Sequence, residues 1–318
     1  QSIYSYFAKQ SLQRSDVVLG IGDDCALLSV PDGQDLAVSI DTLVAGVHFP
    51  IDTAAEDIGY KSLAVSLSDL AAVGAEPAWV TLAVSLTELD ENWVAQFCRG
   101  FFALAKPHNV QLVGGDVTRG QDTITTQLHG FVPAGEALRR SNAKVGDLIY
   151  VTGAIGEAGL GLQLLQNKFQ LPDSCAHQRD DLIQRLNRPE PRVAIGTALR
   201  GIANAAIDIS DGLVADLKHI LEQSQLGATI HLHKLPVAKC FAEVFDAVNG
   251  WQQPLTAGDD YELLFTVPQN EKTTVELLAS QHSCAVTCIG EIEYQPGMRC
   301  YLDGRLMQLE TSGYEHFA

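Results

Sequence analysis

The sequence predicts a mixed α/β (α+β) protein of two domains. Three observations carry this. The chain has 318 residues, 46% of them hydrophobic, which is more than one core ordinarily absorbs. Stretches with two-residue alternation, such as Asp35 to Leu43, are interspersed with stretches of helical period, such as Glu91 to Lys106 with Val94, Phe97, Phe101 and Leu104 on one face. Finally, Pro133-Ala134-Gly135 breaks the series, so the expected domains are residues 1–135 and 136–318.

Composition excludes several classes. Nothing approaches an uninterrupted apolar run of transmembrane length, and Gln1 to Gln10 lacks the basic-then-apolar order of a signal peptide, so a cytoplasmic protein is expected. Lys and Arg number 21 against 39 Asp and Glu, a net charge of −18. Such a surface repels phosphate backbones, which makes nucleic acid and anionic membranes poor partners. A phosphate ligand would need cations to mediate. The seven cysteines are odd in number and form no C-x-x-C pair, so they read as reduced thiols, mostly in the core. His282, Cys284 and Cys288 lack a matching second half for a zinc site.

Residues 3 to 14 have the spacing of a short amphipathic helix. Leu19 to Leu28 is a glycine-broken turn leading into a strand, where Asp23 and Asp24 suit ordinary turn chemistry. In the strand Asp35 to Leu43, Ala37, Ser39 and Asp41 share one face, and Val38, Ile40 and Thr42 the other. A carboxylate closing a buried run is either a strand terminator or a ligand. His48 reads as a hydrogen-bonded loop residue. Asp57 to Val73 is helical and closed by Gly74. Asp69 sits near its C-terminal end, where the helix dipole disfavours an acid and a cation would remove the penalty. Trp79 to Ser85 and Val110 to Val113 are strands, the second running into Gly114-Gly115-Asp116, and Thr123 to Val132 closes the domain.

In the second half, the strand Leu148 to Thr152 meets Gly153-Ala154-Ile155-Gly156-Glu157-Ala158-Gly159. This passage lacks the G-x-G-x-x-G spacing and the Lys-Ser or Lys-Thr pair of a P-loop. Pro172 to Asp181 reads as a loop and Val193 to Ile202 as a helix. Ala206 to Ile209 is a buried strand, after which Leu213, Leu217, Ile220 and Leu221 recur at helical spacing. Asp208, Ser210 and Asp211 converge at this corner, with Asp211 in the capping position. The corner can cap a helix, or hold a divalent cation with oxygen ligands. Thr229 to Leu232 is a strand, Pro236 to Val248 a helix entered through proline, and Gly258-Asp259-Asp260-Tyr261-Glu262 precedes another strand. A helix near Glu271 to Ser280 and a strand near Thr287 to Ile292 complete the domain.

Asp24, Asp41, Asp69, Asp116, Asp208 and Asp211 each stand at an element end beside Gly or Ser. Strand ends in α/β folds gather where ligands bind. Clustered carboxylates repel strongly without cations, and oxygen-only ligation points to Mg²⁺ rather than zinc.

Taken in order, Gly20-Ile21-Gly22-Asp23-Asp24-Cys25-Ala26, Ser39-Ile40-Asp41-Thr42-Leu43-Val44, Leu67-Ser68-Asp69-Leu70-Ala71-Ala72-Val73-Gly74, Gly114-Gly115-Asp116-Val117-Thr118-Arg119-Gly120, Ile207-Asp208-Ile209-Ser210-Asp211-Gly212-Leu213 and Gly258-Asp259-Asp260-Tyr261-Glu262-Leu263 resemble the thiamine-monophosphate kinase family over essentially the whole chain. The resemblance implies ATP-dependent phosphorylation of thiamine monophosphate to thiamine diphosphate. It also implies a homodimer, and a fold shared with aminoimidazole ribonucleotide synthetase and selenophosphate synthetase. Each domain would be a mostly mixed or antiparallel sheet packed with helices, with the active site in the cleft between them. By motif, Asp24, Ser39, Ile40, Asp41, Asp69, Asp116, Asp208 and Asp211 would hold several Mg²⁺ ions. Gly115, Asp116, Arg140 and Ser210 would contact ATP, and His48, Asp259 and Tyr314 thiamine monophosphate, Tyr314 offering an aromatic face to the cationic ring. Two positions depart from the family pattern: Ile40 stands where Thr is usual, so a metal contact there would use the backbone carbonyl, and Asp259 stands where Glu is frequent.

The acceptor is a phosphate with a second pKa near 6, so no general base is expected, and transfer reduces to alignment and charge neutralisation. Asp208, Asp211 and Asp69 would carry it through the metals they hold. The rivals are other enzymes of the same fold, a non-catalytic cation- or nucleotide-binding protein, and an NAD(P)-dependent oxidoreductase. A selenophosphate synthetase needs a reactive Cys near its N-terminal glycine segment, whereas Cys25 in the apolar run Cys25 to Leu28 reads as core.

Overall fold

The computed structural model describes residues 4–244 and 250–308. Two compact units divide it: one is drawn from residues up to Leu70 and Ala75–Ala137, the other from Ala71–Gly74 and the chain from Leu138 onward.

The first unit runs α1 (Tyr4–Ala8), β1 (Val17–Leu19), β2 (Leu27–Leu28), β3 (Gln34–Val44), α2 (Ala55–Ala72), β4 (Glu76–Leu86), α3 (Glu91–Ala105), β5 (Gln111–Arg119) and β6 (Thr123–Pro133). Its main sheet has the order β3-β6-β4-β5, antiparallel except for the parallel β4/β5 pair. The period-2 pattern of β3 decides which face is covered. Ser39 and Asp41 turn toward α2, where they bond Asp69 and Ser66, while Leu36, Val38 and Ile40 are left 43%, 51% and 64% exposed. Helix α2 is apolar on most sides, with Leu63, Ala64, Leu67 and Ala71 fully buried. It stops because Gly74 takes φ 71° while Gly74 N and Ala75 N close onto Ala71 O and Leu70 O. Helix α3 starts at Asp90, whose carboxylate accepts from Asn92 N at 2.8 Å, and it buries Phe97, Phe101 and Phe102.

Three expectations for this half are corrected. The N-terminal helix is the five residues Tyr4–Ala8, not 3 to 14, because the chain turns back on Phe7 O and Ser11 Oγ then donates to Leu112 O. Strand β5 does not end at Val113; it pairs with β4 through Leu86↔Arg119, so Asp116 lies inside a strand. Cys25 is exposed, because its apolar neighbours Leu27 and Leu28 belong to a two-residue strand paired only with β1. The other cysteines are all free, five of them buried and Cys288 half-buried.

The second unit runs β7 (Leu148–Thr152), α4 (Glu157–Leu165), α5 (Arg179–Asn187), α6 (Val193–Ala198), β8 (Ala205–Asp208), α7 (Leu213–Ser224), β9 (Gly227–His231), α8 (Phe241–Val244), α9 (Gln252–Thr256), β10 (Leu263–Val267), α10 (Lys272–Gln281), β11 (Val286–Glu293), β12 (Gly297–Leu302) and β13 (Arg305–Met307). The sheet order is β13-β12-β9-β11-β7-β10-β8, with only β12/β9 parallel. Leu213, Leu217 and Ile220 of α7 pack with Ile149, Val151, Ile207 and Leu264 of the sheet in one core. Both units are thus mixed sheets packed with helices, in agreement with the predicted class. Within Pro172 to Asp181 the chain forms a 3₁₀ turn and begins α5 instead of a loop, because Leu182 and Leu186 bury there. Residues 235–240 are not helical, the helix beginning at Phe241, and 245–248 lie outside the described residues. Among the described residues, no helix is long and apolar enough to cross a membrane.

The crossing of α2 and α3 is set by glycine. A Cβ on Gly100 would strike Glu56 O, and one on Gly59 would strike Phe97 O, both backbone atoms that cannot swing aside. Gly100→Ala is therefore expected to destabilise the protein by about 1–3 kcal/mol or more through overpacking, measured by denaturant unfolding, whereas Gly135→Ala, with open space around it, costs only its left-handed φ of 84°.

Candidate active site

The site residues fall into groups that can be built unit by unit. In the first unit, the turn Ile21 to Ala26 and the β5 segment Gly114 to Val117 face each other across a cavity of ≈ 410 Å³ with Leu82 and Leu112 among its walls. Asp24, Gly115 and Asp116 all line it. Gly115 has to be glycine, because a Cβ would strike Leu82 O on the neighbouring strand. Asp24 and Asp116 are exposed, and each acid neighbourhood is organised by local bonds: Asp23 Oδ1 accepts from Asp24 N at 2.8 Å, and Asp116 Oδ1 from Val117 N at 2.9 Å.

A second group joins β3 to α2. Ser39 Oγ donates to Asp69, and Ser66 Oγ donates to Asp41 at 2.6 Å while sharing a 2.8 Å bond with Thr126 Oγ1. Burial, and the charge of Asp69 beside it, push the Asp41 carboxyl up from 3.8 to about 6, against the stabilising hydroxyls of Ser66 and Ser39. Asp41 and Asp69 are therefore a repelling pair that hydroxyl donors stabilise. Ile40 points to the opposite, exposed face, as the alternation requires. His48 sits in the turn after β3, its Nδ1 accepting from Val44 N at 3.0 Å, so a neutral ring carries its proton on Nε2.

The third group belongs to the second unit. Asp208 is the last residue of β8 and 3% exposed; Ser210 and Asp211 follow at the turn into α7. Asp211 is not the helix cap. Gly212 takes that position at φ 112°, pressed against Thr256, and Asp216 on the first turn of α7 reaches back to accept from Ser210 N and Asp211 N. Burial pushes the Asp216 carboxyl up to about 7. The segment 258–262 closes the corner from the other side. Asp259 N donates to Ser210 O at 2.9 Å and Tyr261 N to Ile209 O at 2.8 Å, with Asp259 and Tyr261 in left-handed backbone at φ 69° and 50°. Asp259 thus lies beside Ser210, its Oδ1 accepting from Tyr261 Oη at 3.1 Å. Arg140 is exposed in a one-turn 3₁₀ helix, and its charge acts on Asp216. Tyr314 lies outside the described residues.

Among the described residues, no three Asp, Glu, His or Cys side chains converge into a complete metal cage. Asp24 and Asp116 line one cavity, Asp41 and Asp69 lie side by side, and Asp208 and Asp211 stand at one strand-to-helix corner. Asp216 was missed by motif reading, although an acid at helical spacing between Leu213 and Leu217 was the available signal. The glycine passage 153–159 also has a plain explanation. The buried Asp260 carboxylate accepts from Gly156 N at 2.7 Å and Ala158 N at 3.3 Å at the start of α4, and Gly153 makes room for Glu262. Glu262 is gripped by Arg192 Nε and Nη2, each at 2.6 Å, and by Thr152 Oγ1.

Fold and acid groups define a member of the AIR synthase related proteins: the N-terminal domain model of that family matches residues 22–132 and the C-terminal domain model residues 144–303. Thiamine-monophosphate kinase of Escherichia coli (strain K12) is 47% identical over 317 residues, covering 99% of this chain and 97% of that one. The crystal structure of thiamine-monophosphate kinase from Stenotrophomonas maltophilia superposes with a TM-score of 0.87 at 43% identity, covering 96% of each chain. AaThiL, solved in complex with AMPPCP and TMP, gives 0.78 at 30% identity and covers 93% of this chain and 92% of that one. The chain belongs to the thiamine-monophosphate kinase family.

The Asp41 and Asp69 pair makes stability depend on pH. The folded state prefers a neutral Asp41, so this group stabilises below about pH 4 and the contribution is lost as pH rises toward about 6. In chelator, Asp41→Asn is expected to flatten that fall and to be more stable than the parent at pH 8 by on the order of 1 kcal/mol, measured by thermal unfolding across pH.

Proposed function

We propose that this protein transfers the γ-phosphoryl group of ATP to the phosphate of thiamine monophosphate, giving thiamine diphosphate and ADP. The observation that carries the reading is the full-length match to a thiamine-monophosphate kinase. An acceptor phosphate oxygen forms the new bond to the γ-phosphorus, and the bond from that phosphorus to the β-γ bridging oxygen breaks. The acceptor is largely dianionic at pH 7 and needs no base. His48, with Nδ1 held by the Val44 N–H, suits positioning of the substrate rather than proton removal. Asp259 and Tyr314 are assigned to the same substrate, and Gly115, Asp116, Arg140 and Ser210 to ATP.

The donor set fits Mg²⁺: all oxygen, from Asp24, Ser39, the Ile40 carbonyl, Asp41, Asp69, Asp116, Asp208 and Asp211, grouped in twos as a cation that keeps substrate phosphates in its shell requires. Bound there, Mg²⁺ supplies neutralisation of the phosphate charge. The protein's own residues fix where those oxygens stand, through Ser66 on Asp41 and Ser39 on Asp69. The reaction is placed in the cytoplasm, where ATP is supplied and the seven thiols stay reduced.

We also assign a homodimer, with Leu36, Val38 and Ile40 on the outer face of the edge strand β3 as the apolar stripe a second copy would cover. Val38→Asp is expected to convert a dimer to a monomer in sedimentation velocity; a parent already monomeric would overturn the assignment.

ADP release with Mg-ATP is expected only when thiamine monophosphate is added, not with thiamine or without acceptor. Asp208→Asn and Asp69→Asn are each expected to lower kcat by about 10²-fold or more. His48→Ala is expected to act on the KM for thiamine monophosphate instead. Turnover lost in His48→Ala at saturating substrate, with both Asn variants active, would overturn the metal-held mechanism.

A further inference from the structure

We infer that Asp216 is a positioning residue that fixes the corner carrying Ser210 and Asp211, an inference that rests on reading those two as nucleotide and cation contacts. A single oxygen, Oδ2 of Asp216, accepts from Ser210 N at 3.0 Å and from Asp211 N at 3.1 Å. Donors ahead of a helix have no intrahelical partner, and Ser210 N and Asp211 N precede Gly212 at the cap. Asp216 supplies the acceptor from inside α7, where it is 3% exposed on the face of Leu213, Leu217 and Ile220.

The carbonyl side of the same peptides is fixed independently. Asp259 N donates to Ser210 O, Tyr261 N donates to Ile209 O, and Gly258 lies so close that a Cβ there would strike Ser210 O. With both N–H groups drawn to Asp216 and both carbonyls drawn to the 259–261 segment, the peptide planes cannot rotate. The backbone from which the Ser210 hydroxyl and the Asp211 carboxylate leave is thereby fixed. What the corner requires at position 216 is an oxygen acceptor at that reach, not a charge. Asn provides it, Ala does not, and Glu carries it one methylene too far.

The full-length variants Asp216→Asn, Asp216→Ala and Asp216→Glu test this by steady-state kinetics and by amide hydrogen exchange at residues 210–211. Asp216→Ala is expected to raise the KM for Mg-ATP by about tenfold or more while the KM for thiamine monophosphate stays within about twofold, as misplacing a bound group does. Its exchange at 210–211 should quicken by at least about tenfold for the lost bonds. Asp216→Asn should match the parent within about threefold in kinetics and keep slow exchange. The inference is overturned if Ala leaves both readouts unchanged, or if Asn is as impaired as Ala while exchange stays slow, since the charge itself would then be what matters. Should the Ala variant not fold, Glu with faster exchange and a raised Mg-ATP KM supports the inference, and Glu indistinguishable from the parent overturns it. If the parent releases no ADP with thiamine monophosphate, the kinase reading falls, and the exchange comparison of Ala with Asn still decides the role of Asp216.

Discussion

A carboxylate removed from water has to be met by hydrogen-bond donors or by positive charge, and the second unit is arranged around where that happens. Asp260 takes two N–H groups at the start of α4, Asp216 takes two at the turn into α7, and Glu262 takes the fork of Arg192 with the Thr152 hydroxyl. These bonds account for the glycines as well. Gly153 and Gly156 leave room for Glu262 and for the α9 residues Gln253 and Pro254, and Gly212 and Gly258 let the two sides of the corner approach backbone to backbone. The left-handed residues Asp259 and Tyr261 are held in that conformation by the same set of bonds. Strain of this kind persists only where the surroundings over-determine it.

In the first unit Asp16 likewise meets the fork of Arg14, but four other acids are met differently. Asp41 and Asp69 receive hydroxyls from Ser66 and Ser39, and Asp24 and Asp116 stand open at a cavity. Hydroxyls lower the cost of a buried carboxylate without cancelling its charge, which is why the Asp41 carboxyl stays above its ordinary range. Glu262, by contrast, meets the fork of Arg192.

The fold class was legible because periodicity survives without tertiary information: the alternation of β3 and the apolar faces of α2, α3 and α7 each assign an element. Most candidate residues stand out for a related reason, as acids at element ends beside glycine. What failed was whatever depended on a distant partner. Asp116 was put at a strand end because Gly114-Gly115 reads as a break, whereas β5 continues since glycine alone fits against Leu82. Cys25 was put in the core because four apolar letters precede β3, and nothing in them tells that their strand has a two-residue partner. Asp211 stands first before the apolar period and so reads as the cap, whereas Gly212 occupies that position and Asp216, inside the helix, accepts from the Asp211 N–H. The hairpin β12–β13 announced itself in Asp303-Gly304, both left-handed, and was passed over.

The two strand-to-helix corners of the second unit also explain how an acidic protein of this family would bind phosphates. In dinucleotide and P-loop sites the backbone N–H groups at such a corner cradle the anion directly. Here the N–H groups of Gly156 and Ala158 are taken by Asp260 at the first corner, and those of Ser210 and Asp211 by Asp216 at the second. What the second corner presents instead is the side chain of Ser210 and the carboxylates of Asp208 and Asp211. Internal carboxylates thus occupy N–H groups that elsewhere attract anions, and on the proposed reading a phosphate at the second corner would be held through a cation and through Arg140. On that reading the charge of −18 would be no obstacle to binding ATP, because cations and not the backbone would govern where its phosphates lie.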